Sequence, residues 1–251
     1  TTYALSRSTY DELCSQKKYA SLVIKAKEKL RKAENNDGEL GEILLYCMLE
    51  SHLNAPKLLT KLELKTAANN YVNGADGVPI NMDGVHLLKI DDSTYQFVFG
   101  ESKLNSSLQT GIYEAFKSIN NLLEKDLNKL RYEISLVNSN ILKETATEES
   151  TILKKLLIPT ENDENLNIDH SFGIFLGFDI PISNEERKMK NSDFRTLMNG
   201  KIEKAVRDVL TTLNNQIKKN EFIGYNFYIY IIPFSELDVV RKKIIEKLKT
   251  M

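Results

Sequence analysis

Apolar residues recur at three- and four-residue spacing in the first part of the chain, which is typical of α-helices with one buried face. This spacing predicts a helix over 8–32, and the polar run 35–38 ends it. A second helix is predicted over 39–53. This segment is apolar around most of its circumference, which indicates a buried helix.

Shorter apolar segments then predict three strands, over 58–66, 84–90 and 94–103. The last two are separated only by Asp91-Asp92-Ser93, so they are expected to form a β-hairpin. The apolar stripe that follows predicts a helix from Ser106 or Ser107, whose hydroxyls suit an N-cap, to about residue 131.

The second half of the chain contains the longest apolar runs. An acidic stretch, 144–169, predicts a loop with a short helix inside it. The segments beyond it are predicted as a strand over 171–180, a helix over 194–219, a strand over 225–234 and a helix over 236–249. Both strands lack a polar alternation, as strands covered on two faces do. This order of elements predicts an α/β fold with a central mixed sheet flanked by helices. With no internal repeat or linker, residues 1–251 are interpreted as one domain.

Composition narrows the class of protein. The 251 residues are 41% hydrophobic and 27% charged, which excludes disordered and collagen-like chains. No apolar run approaches the roughly 20 residues that a membrane helix needs. There is no signal-peptide pattern at the N-terminus, and Cys14 and Cys47 lie in helix-like apolar settings. We therefore expect a reduced, cytoplasmic protein without a membrane partner.

The net charge of −1 does not by itself indicate a nucleic-acid binder. Its distribution is uneven, because 144–169 holds seven acidic residues against two lysines. Basic residues cluster instead in 17–32 and in 241–249. Such clusters are most often solvated helix faces.

Candidate chemistry is concentrated on the predicted hairpin. A hairpin centred on Asp92 places Asp83 opposite Glu101, with Cβ atoms about 4.5–5.5 Å apart. Two carboxylates at that spacing repel unless a cation lies between them, and their oxygens suit Mg²⁺ or Mn²⁺. Lys103, two residues beyond Glu101, shares its face and can polarise a water. We expect Glu101 and Lys103 at a wet site, and the three side chains together provide the groups for metal-assisted phosphodiester hydrolysis.

The E-x-K pattern alone is weak evidence, since the chain contains it three times. The copy at Glu186-Arg187-Lys188 lies in a polar run and is interpreted as a solvated loop or helix start. The copy at Glu63-Leu64-Lys65 is strand-like but has no acidic partner on a hairpin. Only Glu101-Ser102-Lys103 has one, and the alternative for it is an exposed cross-strand charge cluster.

Two helices add candidates. Gln109 and Tyr113 share one face of the helix that follows the hairpin. On the buried second helix, Glu39 and Glu50 are interpreted as its wet side. Glu42 is favoured as functional, because a buried carboxylate is costly unless paired or metal-bound.

The order of these features resembles the PD-(D/E)xK nuclease superfamily, including the Q-x-x-x-Y element of its RecB-like branch. More narrowly, the segments Gly38-Glu39-Leu40-Gly41-Glu42, Asp83-Gly84-Val85-His86 and Gly100-Glu101-Ser102-Lys103 resemble the HamA family of Hachiman anti-phage systems. The resemblance covers about residues 38–125 as the catalytic core, and the strand–helix–strand–helix part, 171–250, fits in order only.

The resemblance implies a restriction-endonuclease-like core and a Mg²⁺-dependent deoxyribonuclease, with Mn²⁺ as an alternative metal. It implies that the enzyme hydrolyses DNA together with a superfamily-2 helicase, HamB, once phage infection is sensed. Two alternatives stay open: a free-standing restriction-type endonuclease acting as a homodimer, and a catalytically silent subunit that binds DNA or scaffolds the helicase.

The family roles assign functions to individual residues. The metal ligands would be Asp83, Glu101 and Ser102. Lys103 would serve the attacking water, and Glu42 would assist at the metal. Gln109 and Tyr113 would orient the site or the DNA backbone. The proline that usually precedes the aspartate is Met82 in this chain. This departure leaves Asp76 as a rival first ligand, and Asp83 is preferred because its strand continues directly into the hairpin. His86, by alternation, faces away from Asp83 and is interpreted as structural.

Overall fold

The computed structural model of the chain describes residues 2–32, 38–66, 82–123, 128–144, 152, 155–156 and 166–250. Within these ranges, five strands form one mixed sheet in sequence order. Its strands are β1 (Lys57–Thr60), β2 (Gly84–Lys89), β3 (Thr94–Asn105), β4 (Asn167–Asp179) and β5 (Asn226–Phe234). The first three are antiparallel, whereas β4 and β5 run parallel to β3. The predicted α/β class with a central mixed sheet is confirmed.

Helices cover both faces of this sheet. They are α1 (Arg7–Ser15), α2 (Tyr19–Lys32), α3 (Glu39–Ser51), α4 (Lys61–Thr66), α5 (Leu108–Leu123), α6 (Asn128–Glu144), α7 (Asn191–Lys219) and α8 (Leu237–Thr250). The largest core lies between the sheet and α5, α6 and α7. A second core lies under α3, on the opposite face. The N-terminal residues, α1 and α2 build a third core against α3 and α4. None of the described helices is long and apolar enough to cross a bilayer.

The hairpin register is the one predicted from the polar triplet. Val85 pairs with Phe99 and Gly84 with Gly100, and the Asp83 N–H donates to the Gly100 carbonyl at 2.9 Å. Asp83 therefore occupies the position opposite Glu101, at the end of the antiparallel ladder.

The predicted first helix is wrong in one respect, because it is two helices. Lys17 adopts a positive φ of 55°, and the Lys18 N–H donates to the carbonyl of Leu13. This bond closes α1 as a Schellman motif does, and it turns the chain before α2 begins. Apolar spacing continues across the turn, so periodicity alone could not detect it.

The predicted strand over 58–66 is also wrong beyond Thr60, where α4 begins. Thr60 and Glu63 form a capping box: the Thr60 N–H donates to Glu63 Oε2 at 3.2 Å, and the Glu63 N–H donates to Thr60 Oγ1 at 3.3 Å. Glu63 also pairs with the buried ammonium of Lys57 at 2.6 Å. The Glu63 copy of E-x-K is therefore a structural part of a helix start.

Three further predicted elements differ from the structure. The helix predicted from Ser106 or Ser107 to about residue 131 corresponds to α5, over Leu108–Leu123, and to the first residues of α6, which starts at Asn128. α6 extends to Glu144, into a part of the chain for which no element was predicted. β4 is buried as expected, but β5 is half-buried, because among the described strands it lies at the edge of the sheet and pairs on one side only. Most of the acidic stretch lies outside the described residues.

Candidate active site

Three charged residues lie in one row across the end of the sheet. The Lys61 N–H donates to the Asp83 carbonyl at 3.0 Å, and the Asp83 N–H in turn bonds to β3 beside Glu101. These bonds continue the β1–β2 and β2–β3 ladders past their last strand pairs, Thr60 with Gly84 and Gly84 with Gly100. Lys61 and Glu101 therefore flank Asp83 from its two sides.

The carboxylate of Asp83 is held by Ser102. Asp83 Oδ2 accepts from the Ser102 N–H at 2.8 Å and from the Ser102 hydroxyl at 2.7 Å. Ser102 faces α3, where a Cβ added to Gly41 would lie 3.0 Å from its hydroxyl oxygen. The glycine thus allows α3 to approach the hydroxyl that positions Asp83. The N–H and the hydroxyl of Ser102 both donate to Asp83, so Ser102 fixes the position of that carboxylate.

Glu101 points from β3 toward α5, on the face opposite Ser102, together with Lys103, and its carboxylate interacts electrostatically with that of Asp83 at the end of the sheet. The Lys103 ammonium lies 2.6 Å from Glu101 Oε1, and the Ser118 hydroxyl of α5 also bonds to this carboxylate. Only 3% of the Glu101 side chain is exposed, so the expected wet position is wrong for Glu101, whereas Lys103 is 25% exposed. Burial, and then the charge of Asp83, raise the pKa of Glu101 to about 7, against the opposing effect of Lys103.

Glu42 faces the site from α3. It lines a small cavity together with Asp83, and it accepts a 2.9 Å hydrogen bond from the Tyr3 hydroxyl. Burial and the charge of Glu42 raise the pKa of Tyr3 far above its ordinary value, so the phenol stays a neutral donor. Sequence reasoning missed Tyr3, which lies far from the motif in the chain.

Lys61 is the second residue that sequence reasoning missed. Its ammonium lies 3.4 Å from Asp83 Oδ1. Burial lowers the pKa of Lys61, but the carboxylates of Asp83, Glu42 and Glu101 outweigh that effect and leave it raised. The T-x-x-E capping box was the available signal, since it starts a helix at this lysine.

The structure does not bring every candidate to this cluster. Gln109 and Tyr113 are exposed on α5, on the side of the helix opposite Gly111, which packs beside Lys103. Ser118, on the Gly111 side, is the α5 residue that bonds to Glu101. Asp76 lies outside the described residues. The remaining E-x-K copy, at Glu186, forms a surface turn and pairs with Lys201 at 2.6 Å.

The other acidic residues of α3 have separate environments. Glu39 is 3% exposed, so its interpretation as part of the wet side of the helix is wrong. Glu50 is partly exposed and accepts from the Lys57 N–H at 2.9 Å. His86 is buried, with Nδ1 2.9 Å from the Ala55 carbonyl, which is a structural contact.

The donor set fits a hard divalent cation. Within the described ranges, no three histidine, cysteine, aspartate or glutamate side chains form a protein-only metal cage. Mg²⁺ does not require one, because it is usually bound by one or two carboxylates and completes its shell with water and substrate phosphate. Burial and the neighbouring charge of Asp83 raise the pKa of Glu101, and a divalent cation bound between the two carboxylates would offset that repulsion.

A polar cavity of about 660 Å³ opens beside Lys103. Its walls are formed by Lys103 and by the polar face of α5, namely Glu114, Lys117, Ser118, Asn120 and Asn121. The exposed side of the cluster is therefore the α5 side, whereas the α3 side is closed by Glu42 and Tyr3.

The fold and this cluster define a restriction-endonuclease-like α/β protein with its acidic and basic residues at one end of the sheet. A family model described as HamA matches residues 1–248. The chain therefore belongs to the HamA family and is a Hachiman anti-phage defence protein. Neither a curated protein nor a solved structure matched the chain.

Proposed function

We propose that this chain is the metal-dependent DNA nuclease of its defence system and that it acts with a HamB-like superfamily-2 helicase. The observation that carries the proposal is the row at the end of the sheet, where Asp83 lies opposite the Glu101–Lys103 ion pair. Membership of the HamA family supports both the activity and the partner.

Each residue has a role that its geometry supports. Asp83 and Glu101 would hold Mg²⁺, or Mn²⁺ in its place, and Ser102 would keep Asp83 in position. The cation would supply a Lewis acid for the phosphate and lower the pKa of a bound water. Lys103, partly exposed on the open side, would hold the attacking water and offset the negative charge that develops on the phosphate.

Glu42 and α5 complete the proposed site. Glu42 would assist at the metal from the closed side, oriented by the Tyr3 hydroxyl. The exposed positions of Gln109 and Tyr113 suit contacts to the DNA backbone better than orientation of Glu101. The cavity beside Lys103 is where the phosphodiester would enter.

A plasmid-nicking assay tests the proposal, with the purified chain alone and with its helicase, in Mg²⁺, in Mn²⁺ and in EDTA. Glu101→Gln and Lys103→Met should each lower the cleavage rate by about 10²-fold or more, because each removes a charge at the reacting centre. Glutamine is preferred to alanine at 101, since the side chain is buried and alanine would leave a cavity.

The matched control is the same pair of changes in the surface copy of the pattern, Glu186→Gln and Lys188→Met. Those variants should cleave like the wild-type chain, since they lie away from the row. Nicking by Glu101→Gln and Lys103→Met at the wild-type rate would contradict the proposed site, and no metal-dependent nicking by the wild-type chain, alone or with its helicase, would favour a subunit that only binds DNA. Full activity without a helicase would favour the free-standing enzyme.

A further inference from the structure

Lys61 lies against the carboxylate of Asp83, a proposed metal ligand. Its backbone N–H is fixed to the Asp83 carbonyl, and its ammonium approaches Asp83 Oδ1 at 3.4 Å. The Asp83 carboxylate thus has one oxygen facing Lys61 and the other bound to Ser102.

The charge of Lys61 serves more than one carboxylate. Asp83, Glu42 and Glu101 each interact electrostatically with its ammonium, although they come from different elements. Lys103 is paired with Glu101 on the open side. Lys61 is therefore a positive charge near all three carboxylates and in direct contact with Asp83, at the junction of β1 and α4.

We infer that Lys61 is the resident counter-ion of the Asp83, Glu42 and Glu101 carboxylates and competes with a divalent cation for them. This inference rests on the proposed function, because it assumes that the carboxylates bind a metal. It distinguishes Lys61 from Lys103: Lys61 sets how tightly the site holds the cation, whereas Lys103 serves the substrate.

The alternative is that Lys61 forms an ordinary ion pair that only stabilises the start of α4. The two roles predict different changes in metal affinity when the lysine is removed. Removing a structural lysine would leave metal binding unchanged or weaken it. Removing a competing ammonium leaves the same oxygens with more negative charge, so a divalent cation should bind more tightly. The Lys61 side chain is 25% exposed, which favours tolerance of substitution.

The experiment is a titration of the full chain with Mn²⁺ without DNA, in which free Mn²⁺ is followed by electron paramagnetic resonance. Lys61→Met and Lys61→Gln should each lower the Kd for Mn²⁺ by about tenfold or more. This is the expected effect of removing one nearby positive charge, reduced by solvent screening because the site is partly exposed. Lys61→Arg keeps the charge and should bind Mn²⁺ like the wild-type chain. Lys89→Met removes another lysine of a lysine–aspartate pair, at the hairpin turn with Asp92, and should change nothing.

Thermal unfolding without metal verifies that each variant is folded. Two neutral variants are used so that an effect specific to methionine is not mistaken for the loss of charge. Unchanged or weaker Mn²⁺ binding in both folded neutral variants would overturn the role of Lys61. Glu101→Gln distinguishes that failure from failure of the proposed function: if this variant binds Mn²⁺ as tightly as the wild-type chain, the metal site itself is misassigned. No saturable binding by any variant would overturn both.

Discussion

The surroundings of single side chains in this protein shift their pKa values, and His86 is the clearest case. It lies on the α3 face of β2, its ring is 5.9 Å from that of Tyr46, and its Nδ1 contacts the Ala55 carbonyl. Burial lowers the pKa of His86 to about 4. The imidazole is therefore neutral at pH 7, with Nδ1–H as the donor to Ala55.

This shift predicts how folding stability depends on pH. The unfolded chain takes up the proton near pH 6.5 and the folded chain only near 4, so His86 stabilises the fold above pH 6.5 and that stability is lost as the pH falls toward 4. The loss should reach about 2 kcal/mol at pH 5. Urea unfolding at pH 5 and pH 7.5 measures it.

The decisive comparison is how much the free energy of unfolding changes with pH in each variant. His86→Gln keeps a donor for Ala55 but removes the titration, so its free energy of unfolding should change less between the two pH values than that of the wild-type chain. His52→Gln, at an exposed histidine beside Tyr230, should keep the wild-type slope. Equal slopes for His86→Gln and the wild-type chain would show that another group controls the acid response.

At the scale of elements, the distance between α3 and β3 is set by a glycine. A Cβ on Gly41 would lie 3.0 Å from the Ser102 hydroxyl oxygen and 3.3 Å from a carbon of Leu104. The hydroxyl cannot move away freely, because it donates to Asp83 at 2.7 Å. The packing of a helix on a strand is thus coupled to the position of a proposed metal ligand.

Gly41→Ala should therefore destabilise the chain by roughly 1–2 kcal/mol, because overpacking outweighs the gain in helix propensity. Its cleavage rate should also fall, since the displaced Ser102 no longer holds Asp83. Gly200→Ala is the matched control in another helix: nothing lies within 4 Å of its added Cβ, so it should stabilise by up to about 1 kcal/mol. Urea unfolding and plasmid nicking measure both. A Gly41→Ala chain as stable and active as the wild type would contradict the coupling.

Elements were predictable from the sequence where local signals and burial agree. The hairpin register followed from one polar triplet, because a buried face allows only one alignment. Predictions failed where apolar spacing continued through a change of structure. At Lys17 a left-handed residue divides one periodic stretch into two helices, and at Thr60 a capping box starts a helix within an apolar run.

The candidate site was predictable only where its residues are close in sequence or directly opposed on the hairpin. Asp83, Glu101 and Lys103 satisfy that condition. Lys61 and Tyr3 do not, since tertiary packing brings them to the cluster from β1–α4 and from the N-terminal segment. The burial of Glu101 was also not predictable from the sequence, because it depends on the packing of α5 over β3.

For the whole molecule, the important property is how charge is distributed over the surface. Residues 17–32 carry seven basic and one acidic side chain, and 237–250 carry five and two, which together give +9 on a chain of net charge −1. The two helices that carry most of these basic residues, α2 and α8, pack against each other. The rest of the chain therefore carries −10, much of it in the acidic stretch 144–169.

This distribution predicts weak DNA binding by the isolated chain. Duplex affinity comes mainly from basic contacts to phosphate, and one basic face on an otherwise acidic molecule supplies few of them. We expect a Kd of about 10⁻⁶ M or weaker at physiological salt, and tighter binding once a helicase delivers the DNA. Fluorescence anisotropy with a labelled duplex, at several salt concentrations, measures both states.

Charge reversal identifies the face that makes the residual contacts. Exposed lysines of α2 and α8 reversed together, as Lys25→Glu, Lys242→Glu and Lys243→Glu, should abolish the residual binding and flatten its dependence on salt. The same change in net charge at exposed positions elsewhere, Lys188→Glu, Lys190→Glu and Lys218→Glu, should weaken binding only slightly, because long-range repulsion between exposed charges is screened. Equal losses in the two triple variants would mean that net charge, and not the α2–α8 face, controls binding. Nanomolar affinity of the wild-type chain without a helicase would contradict delivery by a partner, since a nuclease that grips DNA so tightly needs no other protein to present it.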